Sequence, residues 1–307
     1  MQGDLDPAAG AVYLSLPRGG LPGVAPGSLI RLKKSVYGLA EAPRAWWVKL
    51  RTALADAGFV ESRLEKATFA LRTKKGELCG LACTHVDDVI FTGFGETFSR
   101  ALEKMKKSFT WGSWLVNAFT HCGREVSRDD DGSVRISQDK YVQNLQGVKS
   151  RHRGKDIPLT EEEISEGRSV LGTLGWAAKQ SRPDLTFAVS TGLSELSQKN
   201  RSALRTINGA VKRAHAFNAS LVFPAGLDIQ DCLVLAFSDA SFANREDGGS
   251  QGGQMICLSS PELLQNRRSP VCLLDWNSSR VKRICRSTLA AETQSACAAV
   301  EYADYVK

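Results

Sequence analysis

The stretch Gly80-Leu81-Ala82-Cys83-Thr84-His85-Val86-Asp87-Asp88-Val89-Ile90-Phe91-Thr92-Gly93 decides how the first third of this chain is read. An apolar run of strand type is interrupted once, by two adjacent carboxylates, and resumes as a β-branched and aromatic run ending in glycine. The pattern predicts a hairpin with Asp87 and Asp88 at its tip. Two like charges flanked by buried strands are costly unless a cation neutralises them. A divalent metal is the simplest such cation. Magnesium takes oxygen ligands and commonly shares one or two carboxylates with a substrate phosphate, the geometry of two-metal nucleotidyl transfer. A bare Asp-Asp pair is more often a solvated turn, but this tip has no glycine, asparagine or proline to make one.

Composition narrows the partners. The chain has 307 residues, 42% hydrophobic and 24% charged, which is the profile of a soluble globular protein with room for two or three domains. A net charge of +7 and a pI near 9.0 favour a polyanion, nucleic acid first. The eight cysteines are scattered without a CxxC pair or histidines at zinc spacing, so reduced thiols and no structural zinc are expected. No signal-peptide core opens the sequence, and no apolar run approaches the roughly 20 residues that span a bilayer. An intracellular protein with no membrane partner is expected.

Upstream of the hairpin, a turn at Gln2 to Pro7 and a short strand at Val12 to Leu16 precede a loop rich in glycine and proline. A helix from about Pro43 to Ala57 carries its apolar stripe at Trp46, Leu50, Ala53, Leu54 and Ala57, and Gly58 stops it. The tryptophans read as core. Downstream, Phe98, Ala101, Leu102 and Met105 mark a helix whose other face carries Lys104, Lys106 and Lys107. Asp129-Asp130-Asp131-Gly132 reads as a tight turn, because it lacks the alternating ligands and distal glutamate of a calcium loop.

Several passages carry a family resemblance. Leu32-Lys33-Lys34-Ser35-Val36-Tyr37-Gly38-Leu39, followed by Ala42-Pro43-Arg44-Ala45-Trp46, resembles the LKKxLYGLKQAPRxW signature of copia-type LTR-retrotransposon reverse transcriptases. Val86-Asp87-Asp88 resembles the same family's YVDD box, with His85 in place of the usual tyrosine. His121 to Val126 and Ile136 to Tyr141 resemble a passage at the end of the palm where the primer is gripped. Ser181-Arg182-Pro183-Asp184 to Ser190 resembles the family's TRPDIxFAVS, and Ser238-Asp239-Ala240 its SDADWAG. Asp275-Trp276-Asn277-Ser278-Ser279 through Glu292 aligns without a gap on SWSSKKQxxVxxSSxEAE.

The region after the hairpin domain divides in two. A basic stretch, Lys149 to Lys155, leads to a helical region opened by the capping box Thr160-Glu161-Glu162-Glu163 and continuing through Leu204, Ile207, Val211 and Ala214. The last third turns to strands at Leu233 to Ser241, Gly253 to Leu258, Val271 to Trp276 and Val281 to Cys285, then closes in a helix. Strands with an aspartate at the end of the first, then a helix bearing a glutamate, give the chain order of a ribonuclease H fold. Leu289, Ala296 and Val300 form an apolar stripe beside Glu292, which should turn that glutamate toward the sheet and Asp239.

The expectation is therefore an α+β chain: a palm-like reverse transcriptase sheet with helices over residues 1–147, a helical thumb or connection over 148–230, and a partial ribonuclease H-like domain over 231–307. The resemblance implies metal-binding catalytic residues Asp87, Asp88, Asp239 and Glu292, with Mg2+ or Mn2+ as cofactor. It implies nucleic-acid contacts by His85, Arg280, Lys282 and Arg283. The partners are an RNA template, a DNA primer, an RNA-DNA hybrid and deoxynucleoside triphosphates, met in a cytoplasmic particle or the nucleus. In the family a first catalytic aspartate precedes the point matching Gly3-Asp4-Leu5, and further ribonuclease H aspartates lie beyond Lys307, so an internal piece of a Pol polyprotein is expected. Asp4 and Asp6 are poor substitutes, and Asp304 lies on the same helix as Glu292. The alternative class is a catalytically silent relic that binds nucleic acid. A serine hydrolase on Gly248-Gly249-Ser250-Gln251-Gly252 is rejected, since a strand rather than a helix follows. Gly93-Phe94-Gly95 lacks the third glycine of a dinucleotide fingerprint.

Overall fold

The computed structural model describes residues 10–36, 38–151, 157–245 and 247–306. The turn expected at Gln2 to Pro7, with Asp4 and Asp6, lies outside them, as do Tyr37 and most of the basic stretch before the helical region. The chain is mixed α and β, and among the described residues every strand pairing is antiparallel. It divides into two compact units, residues 1–114 and 115–307.

In the first unit, β1 (Tyr13–Ser15) pairs with β2 (Leu29–Arg31). Helix α1 (Ala42–Asp56) has proline in its first turn and buries Trp46, Leu50 and Leu54. It ends in a doubly bonded cap, Gly58 N–H to Ala55 O and Phe59 N–H to Leu54 O, each 2.9 Å. Strands β3 (Val60–Glu61), β4 (Thr68–Arg72), β5 (Leu78–His85) and β6 (Asp88–Gly93) follow as a meander in chain order. Helix α2 (Gly95–Ser108) then lies back on the sheet, burying Phe98, Ala101 and Met105.

The glycines at the two ends of the decisive stretch explain how α2 seats. Gly80 and Gly93 face each other across β5 and β6. A Cβ on Gly80 would stand 2.6 Å from the Phe98 ring, and one on Gly93 would meet the Cys79 carbonyl at 2.5 Å and the same ring at 2.6 Å. The hairpin base is bare so that one phenylalanine can close the core. Around it, α1, α2 and the sheet share a single apolar cluster that includes Leu50, Phe59, Phe69, Leu71 and Phe109.

The second unit opens with β7 (Ala118–His121), β8 (Arg124–Arg128) and β9 (Val134–Ser137). Asp129 to Gly132 forms the expected turn, closed by Gly132 N–H to Asp129 O at 2.9 Å and by the Asp131 carboxylate on Ser133 N–H at 2.8 Å. Helices α3 (Asp139–Gln143), α4 (Glu161–Gln180), α5 (Thr186–Ser197) and α6 (Ser202–Ala216) share one core through Val142, Leu171, Leu174, Leu196 and Ile207. Strand β10 (Ser220–Phe223) returns to pair with β9. Residues 115–147, read from sequence with the first domain, therefore pack with the helical region, because β10 completes their sheet and Val142 enters the helical core.

The chain then forms β11 (Leu233–Ser241), β12 (Gln251–Ser259), β13 (Val271–Arg280) and the helix α7 (Thr288–Val306). Two expectations are corrected. Residues 281–285 are not a strand; β13 runs unbroken from 271 to 280 and a loop follows. The buried face of α7 is Ala291, Ser295 and Ala299, whereas Leu289 is 75% and Val300 56% exposed. The physical reason is close approach: Ser295 Oγ bonds the carbonyls of Asp239 (2.8 Å) and Gly253 (3.1 Å), and a Cβ on Gly252 would meet that Oγ at 3.2 Å. Only small side chains fit under a helix that near a strand. On the sheet's connection to the helices, Trp276 Nε1 donates to Ala178 O at 2.7 Å.

Candidate nucleotidyl-transfer site and its family

Asp87 and Asp88 stand at the end of the β5–β6 hairpin, where the sequence pattern puts them. Pairing extends to His85 opposite Asp88, leaving Val86 and Asp87 as a two-residue turn. Val86 has φ of 56°, and among the turn residues it alone is in the left-handed region, the pattern of a type II′ hairpin. Glycine normally takes that position; a β-branched residue there is strained by roughly 1–3 kcal/mol. His85, Val86, Asp87 and Asp88 are all exposed.

The strained turn is held from α1. Trp46, only 7% exposed, donates its indole N–H to the Val86 carbonyl at 2.6 Å. Its ring is set by Phe109 edge-on at 5.2 Å, and Phe109 in turn meets Trp111 at 5.4 Å. The sequence reading placed Trp46 in the core and missed its polar edge, although a buried indole N–H nearly always finds an acceptor.

Two adjacent carboxylates supply hard oxygen donors suited to Mg2+ or Mn2+, which takes one or two carboxylates and completes its shell with water and substrate phosphate. Among the described residues, no group of three or more His, Cys, Asp or Glu side chains is gathered to hold a metal by itself. The pair thus fits a metal shared with substrate rather than an all-protein cage.

In the second unit, Asp239 is exposed near the end of β11 and Glu292 half-buried in the first turns of α7. Ser295, one turn beyond Glu292, bonds the Asp239 carbonyl, so these two residues sit on elements in direct contact. Lys282 and Arg283 are exposed in the loop after β13. Arg280 is engaged by Asp247, whose carboxyl is held below its usual range by the Gly249 N–H and, against some burial, by Arg280 and Arg245.

The passage resembling TRPD is structural. Arg182 is wholly buried, forks onto both oxygens of Asp184 at 2.9 and 3.0 Å, and donates to Ala214 O at 3.1 Å. Arg213 reaches Asp184 at 3.1 Å. Burial opposes ionisation of Asp184, but the two guanidiniums hold its carboxyl below the ordinary value.

Residues 1–151 match the family described as reverse transcriptase (RNA-dependent DNA polymerase), and the exposed Asp-Asp hairpin falls inside that match. This part of the chain belongs to the reverse transcriptase family. The likeness to retrotransposon Pol polyproteins runs further, over most of the chain. The Retrovirus-related Pol polyprotein from transposon RE2 of Arabidopsis thaliana is 28% identical across 92% of this chain and 19% of its own length. The corresponding polyprotein from transposon RE1 is 26% identical, again across 92% of this chain and 19% of its own. That from transposon TNT 1-94 of Nicotiana tabacum is 22% identical across 95% and 22%. The chain spans about a fifth of the length of the curated relatives RE1 and RE2. No solved structure matches it. Among the described residues, no helix is long and apolar enough to cross a membrane.

Proposed function

We propose that Asp87 and Asp88 hold the divalent metal of an RNA-directed DNA polymerase site, working on an RNA template, a DNA primer and deoxynucleoside triphosphates within a longer Pol polyprotein. The observation that carries this is the exposed hairpin tip, with Asp87 in the two-residue turn and Asp88 next to it as the first residue of β6. A bound Mg2+ or Mn2+ would acidify the primer hydroxyl and offset the charge that builds on the transferred phosphoryl group. The chain's own part is to hold the two carboxylates at a fixed place and angle. His85, in register with Asp88, borders the place a primer end would occupy.

The same reading makes residues 1–147 the palm, 148–230 a thumb or connection, and 231–307 a ribonuclease H-like domain using Asp239 and Glu292. Support comes from the antiparallel order β11-β12-β13 followed by a helix seated against Asp239. Lys282 and Arg283 are exposed, as contact with an RNA-DNA hybrid requires. Arg280 would have to exchange Asp247 for a phosphate. A second reading, a silent nucleic-acid-binding relic, goes with the finding that no three His, Cys, Asp or Glu side chains are gathered to hold a metal among the described residues.

The test is a ternary complex that needs no turnover. A fluorescent RNA template with a dideoxy-terminated DNA primer is titrated with the chain in millimolar Mg2+, with the next complementary or a mismatched nucleotide. The polymerase site tightens duplex binding with the complementary nucleotide alone, and Asp87→Asn with Asp88→Asn removes the effect. Equal binding with either nucleotide refutes the assignment and leaves the relic.

A further inference from the structure

We propose that Trp46 is a positioning residue for the carboxylate pair: its indole N–H fixes the peptide plane between Val86 and Asp87 and so sets the direction in which Asp87 leaves the hairpin. The inference rests on the metal-holding reading of Asp87 and Asp88.

The argument starts from the turn. Pairing of His85 with Asp88 leaves two residues to reverse the chain, and the first of them is a valine at φ 56°. A β-branched residue resists that conformation, so the local sequence alone favours relaxation of the tip. The carbonyl of Val86 belongs to the peptide group that continues into Asp87. Rotation of that group changes ψ of Val86 and φ of Asp87 together, and the second angle carries the Asp87 side chain with it. Trp46 bonds this carbonyl at 2.6 Å.

The donor is itself well fixed. Trp46 lies on the buried face of α1, its ring bracketed by Phe109 at 5.2 Å, and Phe109 is packed against Trp111, whose own Nε1 bonds Met105 O at 3.0 Å. On β6, Phe91 stacks on Trp114 at 5.8 Å, and Trp114 meets Trp111 at 5.4 Å. The hairpin is thus gripped along β6 by ring packing, and at its tip the directional Trp46 bond holds the Val86 carbonyl. Ring packing resists lifting of the hairpin but leaves a peptide free to turn; a hydrogen bond to the carbonyl stops the turn.

Trp46→Phe keeps an aromatic ring on Phe109 and removes the donor, whereas Trp111→Phe removes an equivalent indole bond in the same cluster away from the tip. Hydrogen exchange at residues 84–89 and Mn2+ affinity, read from paramagnetic broadening of Asp87 and Asp88, are measured on the full chain with both variants and with Asp87→Asn. Trp46→Phe is expected to speed exchange at the tip about tenfold, the effect of losing a bond worth about 1.4 kcal/mol, and to weaken Mn2+ at least threefold. Trp111→Phe should do neither. Tip exchange no faster in Trp46→Phe than in Trp111→Phe overturns the proposal, as does unchanged Mn2+ affinity in Trp46→Phe when Asp87→Asn lowers it. Mn2+ affinity indifferent to Asp87→Asn instead overturns the metal-holding reading, and the positioning role with it. If Trp46→Phe does not fold, the wild-type indole decides: its N–H must exchange at least tenfold more slowly than that of Trp176, which is 42% exposed. Equal rates overturn the bond.

Discussion

Replacing Glu163 by glutamine should cost the second unit about 3 kcal/mol at neutral pH, and the cost should fade in acid. Glu163 is fully buried at the start of α4, where its carboxylate meets four donors. These are Thr160 N–H and Arg151 N–H, each at 2.9 Å, and two nitrogens of Arg201, each at 3.2 Å. Burial by itself would raise its pKa, but the two backbone N–H bonds and the Arg201 guanidinium outweigh burial and lower it from 4.5 to about 2. At about 1.4 kcal/mol per pKa unit, that fall is worth about 3 kcal/mol. The folded-state pKa lies below the unfolded one, so the stabilisation is complete above about pH 4.5 and is lost as pH falls toward 2. Glutamine fills the same space and can still accept from Thr160, yet its amide group sets donor against donor at Arg201 or Arg151 and leaves Arg201 without a counter-charge. The assay is urea unfolding at pH 7 and pH 3, read by hydrogen exchange on the α4 and α6 peptides so that the first unit does not contribute. A penalty below about 1 kcal/mol at pH 7, or an equal penalty at both pH values, would falsify this account of Glu163.

Gly93→Ala should destabilise the first unit by about 1–3 kcal/mol, because its Cβ would fall 2.5 Å from a backbone carbonyl; a urea midpoint unchanged within error removes the close-approach argument. Arg182→Lys loses the two-pronged bond to Asp184 in a fully buried place and should cost about 3 kcal/mol or more, whereas retention of wild-type melting would show that the fork is dispensable. Charge reversal at Lys282 and Arg283 should weaken binding to RNA-DNA hybrids of different sequence alike and flatten the salt dependence by about one to two log units per log of salt; an unchanged slope takes both residues off the phosphate path. Magnesium titration of the chain without nucleic acid should find no tight site, since two carboxylates alone hold the ion weakly, and micromolar affinity abolished by Asp87→Asn would show a complete cage.

Local chemistry wrote much of this protein into its sequence. The alternation around Asp87 and Asp88 placed a hairpin tip where β5 and β6 reverse, the spacing of Trp46, Leu50 and Leu54 gave the buried face of α1, and Thr160 with Glu163 marked the first residue of α4. Each of these signals lies within a few residues of the feature it sets, so backbone geometry and side-chain period suffice to read it. What the sequence did not disclose depends on partners far along the chain. Trp46 reaches Val86 across 40 positions, Glu163 meets Arg201 across 38, and Arg182 meets Ala214 across 32. The face of α7 was misread for the same reason: hydrophobic period alone favoured Leu289 and Val300, but the helix approaches the sheet closely at Ser295, over Gly252, and buries the small residues Ala291, Ser295 and Ala299. The sequence reading placed residues 115–147 with the first domain, whereas β10, more than 80 positions on from Ser137, pairs with β9 in the second compact unit. A repeat of apolar residues fixes which surface can be buried; only the folded chain decides which surface is near enough, and small enough, to bury it.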